Sequence, residues 1–302
     1  MGRSVGNWGR GMSAVRFMEA TRRIWLVNNA SSGSNDDQAL LALEECCGRN
    51  GFRVAHRTSF PAQELPTPAV LDAAGIDGVA VFAGDGTINS LLTELSGWGG
   101  AVLVLPGGTM NLLFHRLHGD RPMEQVVEAA ASGRSVMRRP AIIRCDYGDA
   151  YAGLLAGPGT SWNQVREAMR KTDIADMAGS TVAAIQETLG GEMIACVEPP
   201  LGRQEGYPLL EMEPTEDGIE IAAYHSESPG EYLEQGLALL KRNFREGPHE
   251  FLGRPRKLRV ASTQGHPFGM LIDGEPAGAA PSVEFTLVTC EVDLIATEVD
   301  GI

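Results

Sequence analysis

The chain has 302 residues, 43% hydrophobic and 21% charged, a balance that excludes wholesale disorder and supplies the core of one large domain or two ordinary ones. Lys+Arg total 25 against 39 Asp+Glu, a formal net charge of -14, which excludes nucleic-acid binding through bulk electrostatics because phosphate backbones need a basic footprint. Five Cys, two of them adjacent at Cys46 and Cys47, make no disulfide scaffold and suit a reduced cytoplasm.

The first 23 residues hold five Arg and one acid and lack the apolar core of a secretory signal, so residues 1–22 are expected to be a loose tail. The same Arg-rich, acid-poor pattern also fits a transit peptide. Ile24–Val27 then reads as a strand running into an Asn/Ser/Gly turn that ends at Gly33. Residues 36–49 carry Leu40, Leu41 and Leu43 at helical spacing, and Phe52–His56 reads as a second strand ending near Thr58. A connector with Pro61, Pro66 and Pro68 leads to the strand Val79–Ala83, the turn Gly84-Asp85-Gly86-Thr87 and a helix over Ile88–Leu95. Ala101–Leu105 is a further strand, followed by Pro106-Gly107-Gly108-Thr109 and a helix from about Asn111 to His118. Strands alternating with helices predict a parallel, layered α/β sheet. No apolar run approaches the roughly 20 residues a membrane-crossing helix needs.

Past Pro140 the pattern changes to short β-like runs: Ala141–Cys145, Tyr151–Leu155, Met193–Val197, Ile219–Tyr224, Leu258–Ser262, Gly269–Ile272 and Val283–Val288. Helical islands are expected at Trp162–Lys171, Ser180–Leu189 and Tyr232–Arg242. A domain boundary near residue 140 follows, with a mostly antiparallel β domain beyond it. Charge is uneven: residues 187–234 carry twelve acids and one Arg, whereas residues 241–259 carry seven bases and two acids. Charge runs are usually solvated faces, but a basic segment also suits anionic lipid headgroups.

The chemistry is concentrated in the turns. Gly86-Thr87-Ile88-Asn89 and Gly108-Thr109-Met110-Asn111 share Gly-Thr-x-Asn and leave the same edge of one sheet. Glycine lets backbone N–H groups approach a phosphate without a side-chain clash, a helix N-terminus adds its dipole, and the Thr hydroxyls can donate alongside. Plain chain-reversing turns share these residues. Gly-Lys is absent, which removes a Walker A loop; the dinucleotide fingerprint, HExxH and CxxC are missing too. Asp85, between two glycines, would repel a polyphosphate unless a cation or a proton-donating hydroxyl stood nearby. Asp273-Gly274-Glu275 is a second acidic turn, and Asp-Gly alone equally signals a plain hairpin.

The order Asn29-Ala30-Ser31-Ser32-Gly33, Ala83-Gly84-Asp85-Gly86-Thr87, Gly108-Thr109-Met110-Asn111 and Asp273-Gly274-Glu275 resembles the diacylglycerol kinase catalytic-domain family, which includes sphingosine and ceramide kinases and bacterial lipid kinases. The chain departs from the family pattern at Ala30 for Pro, Ala83 for Gly and Leu112 for Asp. The resemblance implies an α/β ATP-binding domain over 23–140, a β-sandwich lipid-substrate domain over 141–280, and last strands over 281–302 that return toward the first domain. The active site would lie in the cleft between the domains.

Carried over residue by residue, the resemblance implies that Asn29, Ser32, Thr58, Gly84, Asp85, Gly86, Thr87, Gly108, Thr109, Asn111 and Glu275 hold ATP. Asp273 would be the general base, with Asp85 and Glu275 ordering Mg²⁺ and the phosphates. Asp217 matches an acidic turn that holds a structural Mg²⁺ in some bacterial relatives. The implied activity is ATP- and Mg²⁺-dependent phosphorylation of a membrane lipid hydroxyl, in diacylglycerol, ceramide or a sphingoid base. It would proceed in the cytoplasm at the inner membrane face, with peripheral contact through 241–259 and a homodimer as one assembly state. Two other readings stay open: a soluble-substrate enzyme such as an NAD kinase, which shares the Gly-Asp-Gly-Thr loop, and a non-catalytic lipid- or nucleotide-binding protein with a decayed site.

Overall fold

A computed structural model describes residues 23–29, 37–157, 193–224 and 249–297. The tail over 1–22, Ser32 and the three expected helical islands lie outside the described residues. The first unit opens with β1 (Arg23–Asn29), α1 (Asp37–Arg49), β2 (Arg53–Phe60) and α2 (Pro68–Ala73). It continues through β3 (Gly78–Ala83), α3 (Asp85–Glu94), β4 (Ala101–Pro106), α4 (Leu112–His118), α5 (Met123–Ser132) and β5 (Val136–Arg138). The second unit contains β6 (Ala141–Cys145), β7 (Gly148–Ala150), β8 (Leu154–Gly157), β9 (Ile194–Glu198), β10 (Pro200–Leu201), β11 (Leu209–Pro214) and β12 (Ile219–Tyr224). It then runs through β13 (His249–Gly253), β14 (Lys257–Ser262), β15 (Phe268–Ile272), β16 (Glu275–Ala280) and β17 (Ser282–Thr289), before β18 (Asp293–Ala296).

The first sheet has the order β2-β1-β3-β4-β18-β5, parallel except at β5. Every residue of β3 is buried, as expected of a parallel strand covered on both faces. Leu40, Leu43, Cys46 and Cys47 turn the apolar stripe of α1 onto this sheet, while Leu41 faces solvent. The Pro-rich connector contains α2, which sequence reading left unassigned; Thr67 caps it and Pro68 occupies its first turn, where a missing N–H does no harm.

Two six-stranded sheets, β10-β9-β14-β17-β6-β7 and β13-β12-β11-β8-β15-β16, form the second unit. Their inner faces meet in one core, where Ile143, Leu258, Val260, Phe285 and Leu287 face Leu210, Met212, Ile221, Phe268 and Met270. This is a β-sandwich. The expected α/β unit followed by an antiparallel β-sandwich is the observed fold class.

The chain returns later than residue 281. Val283, Phe285 and Leu287 of β17 alternate inward, and the strand pairs with β14 and β6, so it belongs to the sandwich. Among the described strands it is β18 that crosses back, inserting between β4 and β5.

Candidate functional site

The loops after β3 and β4 leave neighbouring parallel strands at their carboxyl ends, where open α/β sheets bind ligands. They touch through glycine: a Cβ built on Gly108 would lie 2.5 Å from the Cα of Gly84. No other residue allows that approach without moving backbone. Ala83, where the family pattern has Gly, is a fully buried strand end without positive φ, so the methyl is accommodated. Gly84 caps α3, whose first turn holds Asp85, Gly86 and Thr87. Asn29 at the end of β1 donates to the Thr87 hydroxyl at 2.9 Å, leaving the Thr87 proton to be donated onward.

Asp85 is buried at this junction, and its Oδ1 accepts from Leu113 N–H at 3.2 Å at the start of α4. Burial pushes its carboxyl up to about 6; the charge of Asp273 adds to the rise and the Leu112 and Leu113 N–H groups oppose it. The two acids, far apart in sequence, therefore share one electrostatic site.

Asp273 comes from the sandwich. It is the first residue of a two-residue turn between β15 and β16, with φ 48° at Asp273 and 81° at Gly274, the left-handed pair that an Asp-Gly hairpin provides. The backbone is that of a plain Asp-Gly hairpin, while the side chain turns toward Asn89 on α3 of the first unit. Oδ1 accepts from Ala152 N at 2.8 Å and Gly153 N at 3.1 Å; Oδ2 accepts from Tyr151 N at 2.9 Å and Asn89 Nδ2 at 3.1 Å. Burial raises its pKa, and these donors work against the rise. A carboxylate offers about four lone-pair sites, and here all are engaged. Asn89 is the single side-chain donor of the four, and it also donates to Asp149 O at 2.6 Å.

Glu275 lies beside the first loop: a Cβ on Gly86 would stand 3.2 Å from its Cγ. Met110 and Leu112 flank Gly274, so the third motif meets the hairpin through apolar contact where the family pattern has a carboxylate. Arg116 of α4 ties the units together, donating to Ala141 O and Pro214 O at 2.9 Å each and to Tyr151 O. Burial lowers its pKa, and Asp273 and Glu213 counter that effect.

Asp85, Gly84, Gly86, Thr87, Asn29, Gly108, Asp273 and Glu275 are thus brought together, and Thr109 is exposed on the second loop. Other expected residues are used differently. Thr58 is buried in β2 and accepts from Trp25 Nε1 at 2.9 Å, which leaves its own proton to donate, as at Thr87. Asn111, at φ 52°, folds its amide back onto Gly108, accepting from its N–H at 2.8 Å and donating to its carbonyl at 2.9 Å. That bond pattern holds the loop in shape. Asp217 is exposed in the turn between β11 and β12. Among the described residues no three His, Cys, Asp or Glu side chains converge as a ready cation cage.

Asn89 and Arg116 were not singled out from sequence. Asn89 was visible in the repeated Gly-Thr-x-Asn; Arg116 was visible as a cation next to Leu113, Phe114 and Leu117, the buried side of α4. Of the bases over 241–259, Arg254 pairs with Glu220, Lys257 with Glu284 and Arg259 with Glu198. Lys241, Arg242 and Arg245 lie outside the described residues.

A family model, the diacylglycerol kinase catalytic domain, matches residues 23–138. A solved structure assigned as a diacylglycerol kinase from Bacillus anthracis strain Sterne superposes with a TM-score of 0.61 at 14% identity, covering 91% of this chain and 97% of that one. A second structure, a diacylglycerol kinase of the same strain, gives 0.59 at 13% identity with the same coverage. Likenesses at this identity speak to the fold. No curated protein sequence matches significantly. Residues 23–138, which hold both glycine loops and Asp85, match the diacylglycerol kinase catalytic domain, the family to which the motifs pointed.

Proposed function

We propose that this chain transfers the γ-phosphoryl group of ATP to a hydroxyl of a membrane lipid such as diacylglycerol, ceramide or a sphingoid base, with Mg²⁺. The observation that carries the reading is the junction itself. Two touching glycine loops at the carboxyl edge of a parallel sheet meet a buried carboxylate pair, one acid from each unit.

The residues fit both groups. Asp273 adds to the charge that buried Asp85 must have compensated, which a hard cation with oxygen ligands would satisfy. The loops offer backbone N–H groups and the Thr87 and Thr109 hydroxyls to phosphate oxygens. Mg²⁺, when bound, neutralises charge developing on the phosphoryl oxygens while ATP supplies the phosphoryl group.

The chain's own contribution is alignment, exclusion of water and a place for one proton. Asp85 and Glu275 hold the cation side of the site, and the α3 N-terminus holds the phosphate side. Asp273 takes the acceptor hydroxyl proton on Oδ2, after the Asn89 amide swings away. Its three backbone donors keep the carboxylate fixed meanwhile. Leu112 and Met110 give this edge an apolar lining next to the hydroxyl acceptor. No helix of the described residues is long and apolar enough to cross a membrane, and contact with the bilayer surface is assigned to 241–259, where Phe251 is exposed.

The test is incubation with ATP, Mg²⁺ and micellar diacylglycerol, ceramide, sphingosine and phosphatidylglycerol, with NAD as a soluble acceptor. A phosphorylated lipid is expected. Phosphorylated NAD alone would overturn the lipid assignment.

A further inference from the structure

The two crossings between the units, Arg139–Pro140 and Cys290–Val292, run side by side, joined by the Cys290 N–H to Pro140 O bond of 2.8 Å. Beside them is a recess of about 380 Å³ that lacks the glycine loops and includes Leu287 of the sandwich core in its lining. Its lining includes Arg138 and Arg139 from the first unit, Arg256 from the second, and Thr289 and Glu216. Three guanidinium groups stand against Glu216 and the Asp293 carboxylate that pairs with Arg139, a local excess of one cation in a chain of net charge -14.

The three are not equivalent. Arg139 is held by Asp293 through two parallel bonds of 2.9 and 3.0 Å, which fixes its plane and leaves its Nη1 donors unused by that pair. Among the described residues Arg256 reaches the Glu216 carbonyl, at 3.5 Å. Among the described residues the buried Nε of Arg138 has no hydrogen-bond partner, a costly arrangement that keeps its cation poorly compensated beside the recess. Register places the recess at the opposite edge of the first sheet from the glycine loops. Asp293 pairs with Ala101 at the start of β4, and Leu294 pairs with Arg138, whereas the loops follow the ends of β3 and β4.

We propose that this recess is a binding site for a phosphate monoester dianion, gripped by Arg138 and Arg139 from one unit and Arg256 from the other. Arginine forks match phosphate oxygens, and the Thr289 hydroxyl is available as a further donor. Because the ligand touches both units beside both crossings, its occupancy fixes their relative setting. The phosphate site stands without the kinase reading, whereas the lipid source rests on it, since Arg256 lies in the 241–259 segment assigned to the bilayer surface. The dianion can come from a free phosphate or from a phosphorylated lipid headgroup.

The test is calorimetric titration of the full chain with inorganic phosphate in chloride buffer, beside Arg138→Gln and Arg256→Gln, with ATP-analogue binding measured on each protein. The expected result is binding by wild type that weakens about tenfold or more in each variant, as loss of a charge-assisted contact implies, while ATP-analogue binding is unchanged. Absence of phosphate binding by wild type, or equal affinity in all three proteins, overturns the proposal. Arg256 is exposed, so its replacement leaves the core intact and the comparison stands even if Arg138→Gln fails to fold. A second arm uses phosphatidylcholine vesicles with and without phosphatidic acid. Arg256-dependent sedimentation with phosphatidic acid, displaced by phosphate, identifies the headgroup source. Binding of phosphate without such sedimentation identifies the soluble source.

Discussion

Replacing Asp85 by Asn separates the two demands placed on this residue. Asn retains an oxygen to accept the Leu113 N–H, so the start of α4 stays anchored, but it cannot ionise. The Asp85 carboxyl lies at about 6 in the folded chain against an ordinary 3.8, because burial and Asp273 disfavour its charge. At about 1.4 kcal/mol per pH unit, that gap corresponds to about 3 kcal/mol. Its sign is set by proton uptake: the folded state holds the proton more tightly than the unfolded chain. The contribution is therefore fully present below 3.8 and is lost as pH rises through about 6. Asp85→Asn should accordingly melt higher than wild type at about pH 7.5, and the difference should shrink by about 2 kcal/mol at about pH 4.5. Thermal unfolding of both proteins across this range, without divalent cation, measures it. Mg²⁺ should raise the wild-type melting temperature at neutral pH and leave the variant nearly unmoved. A variant less stable than wild type at neutral pH, or a difference independent of pH, would refute the buried-pair argument.

Arg116→Met removes a buried cation that donates to carbonyls in three separate segments of the second unit, and denaturant unfolding should show a loss of about 3 kcal/mol or more. Gly108→Ala places a methyl against the Gly84 backbone, so equilibrium binding of an ATP analogue should collapse while far-ultraviolet circular dichroism stays native. Asn89→Ala deletes a donor that favours the ionised form of Asp273, so the acidic limb of the kcat/KM profile should move to higher pH. An unmoved limb would mean that Asp273 is not the titrating group.

The glycine loops were legible because their chemistry is local. Gly84-Asp85-Gly86-Thr87 and Gly108-Thr109 follow buried strands, and both the turn and the helix start are written in adjacent residues. The Asp273-Gly274 hairpin was legible for the same reason. What the side chains do there was not, because the partners of Asp273 come from Tyr151–Gly153 and from Asn89, and only tertiary packing brings them together. Asn111 shows the converse: a residue of the right type in the right place, whose amide oxygen and nitrogen are both claimed by Gly108. Short elements escaped as well. α2 has six residues with a single buried apolar side chain, too few to show a helical period, and β17 looked like a returning segment until its Val283, Phe285 and Leu287 were seen to face the sandwich core.

The most direct test of the phosphoryl-transfer site is transfer of label from γ-labelled ATP into extracted lipid, run in parallel on wild type and Asp85→Asn with both proteins shown to be folded. Labelled lipid from wild type, and its loss by orders of magnitude in a variant at least as stable, is the predicted result. Equal labelling by the two proteins would contradict the assignment of Asp85 to the reacting centre, and no labelling by wild type with any lipid acceptor would contradict the lipid kinase reading itself.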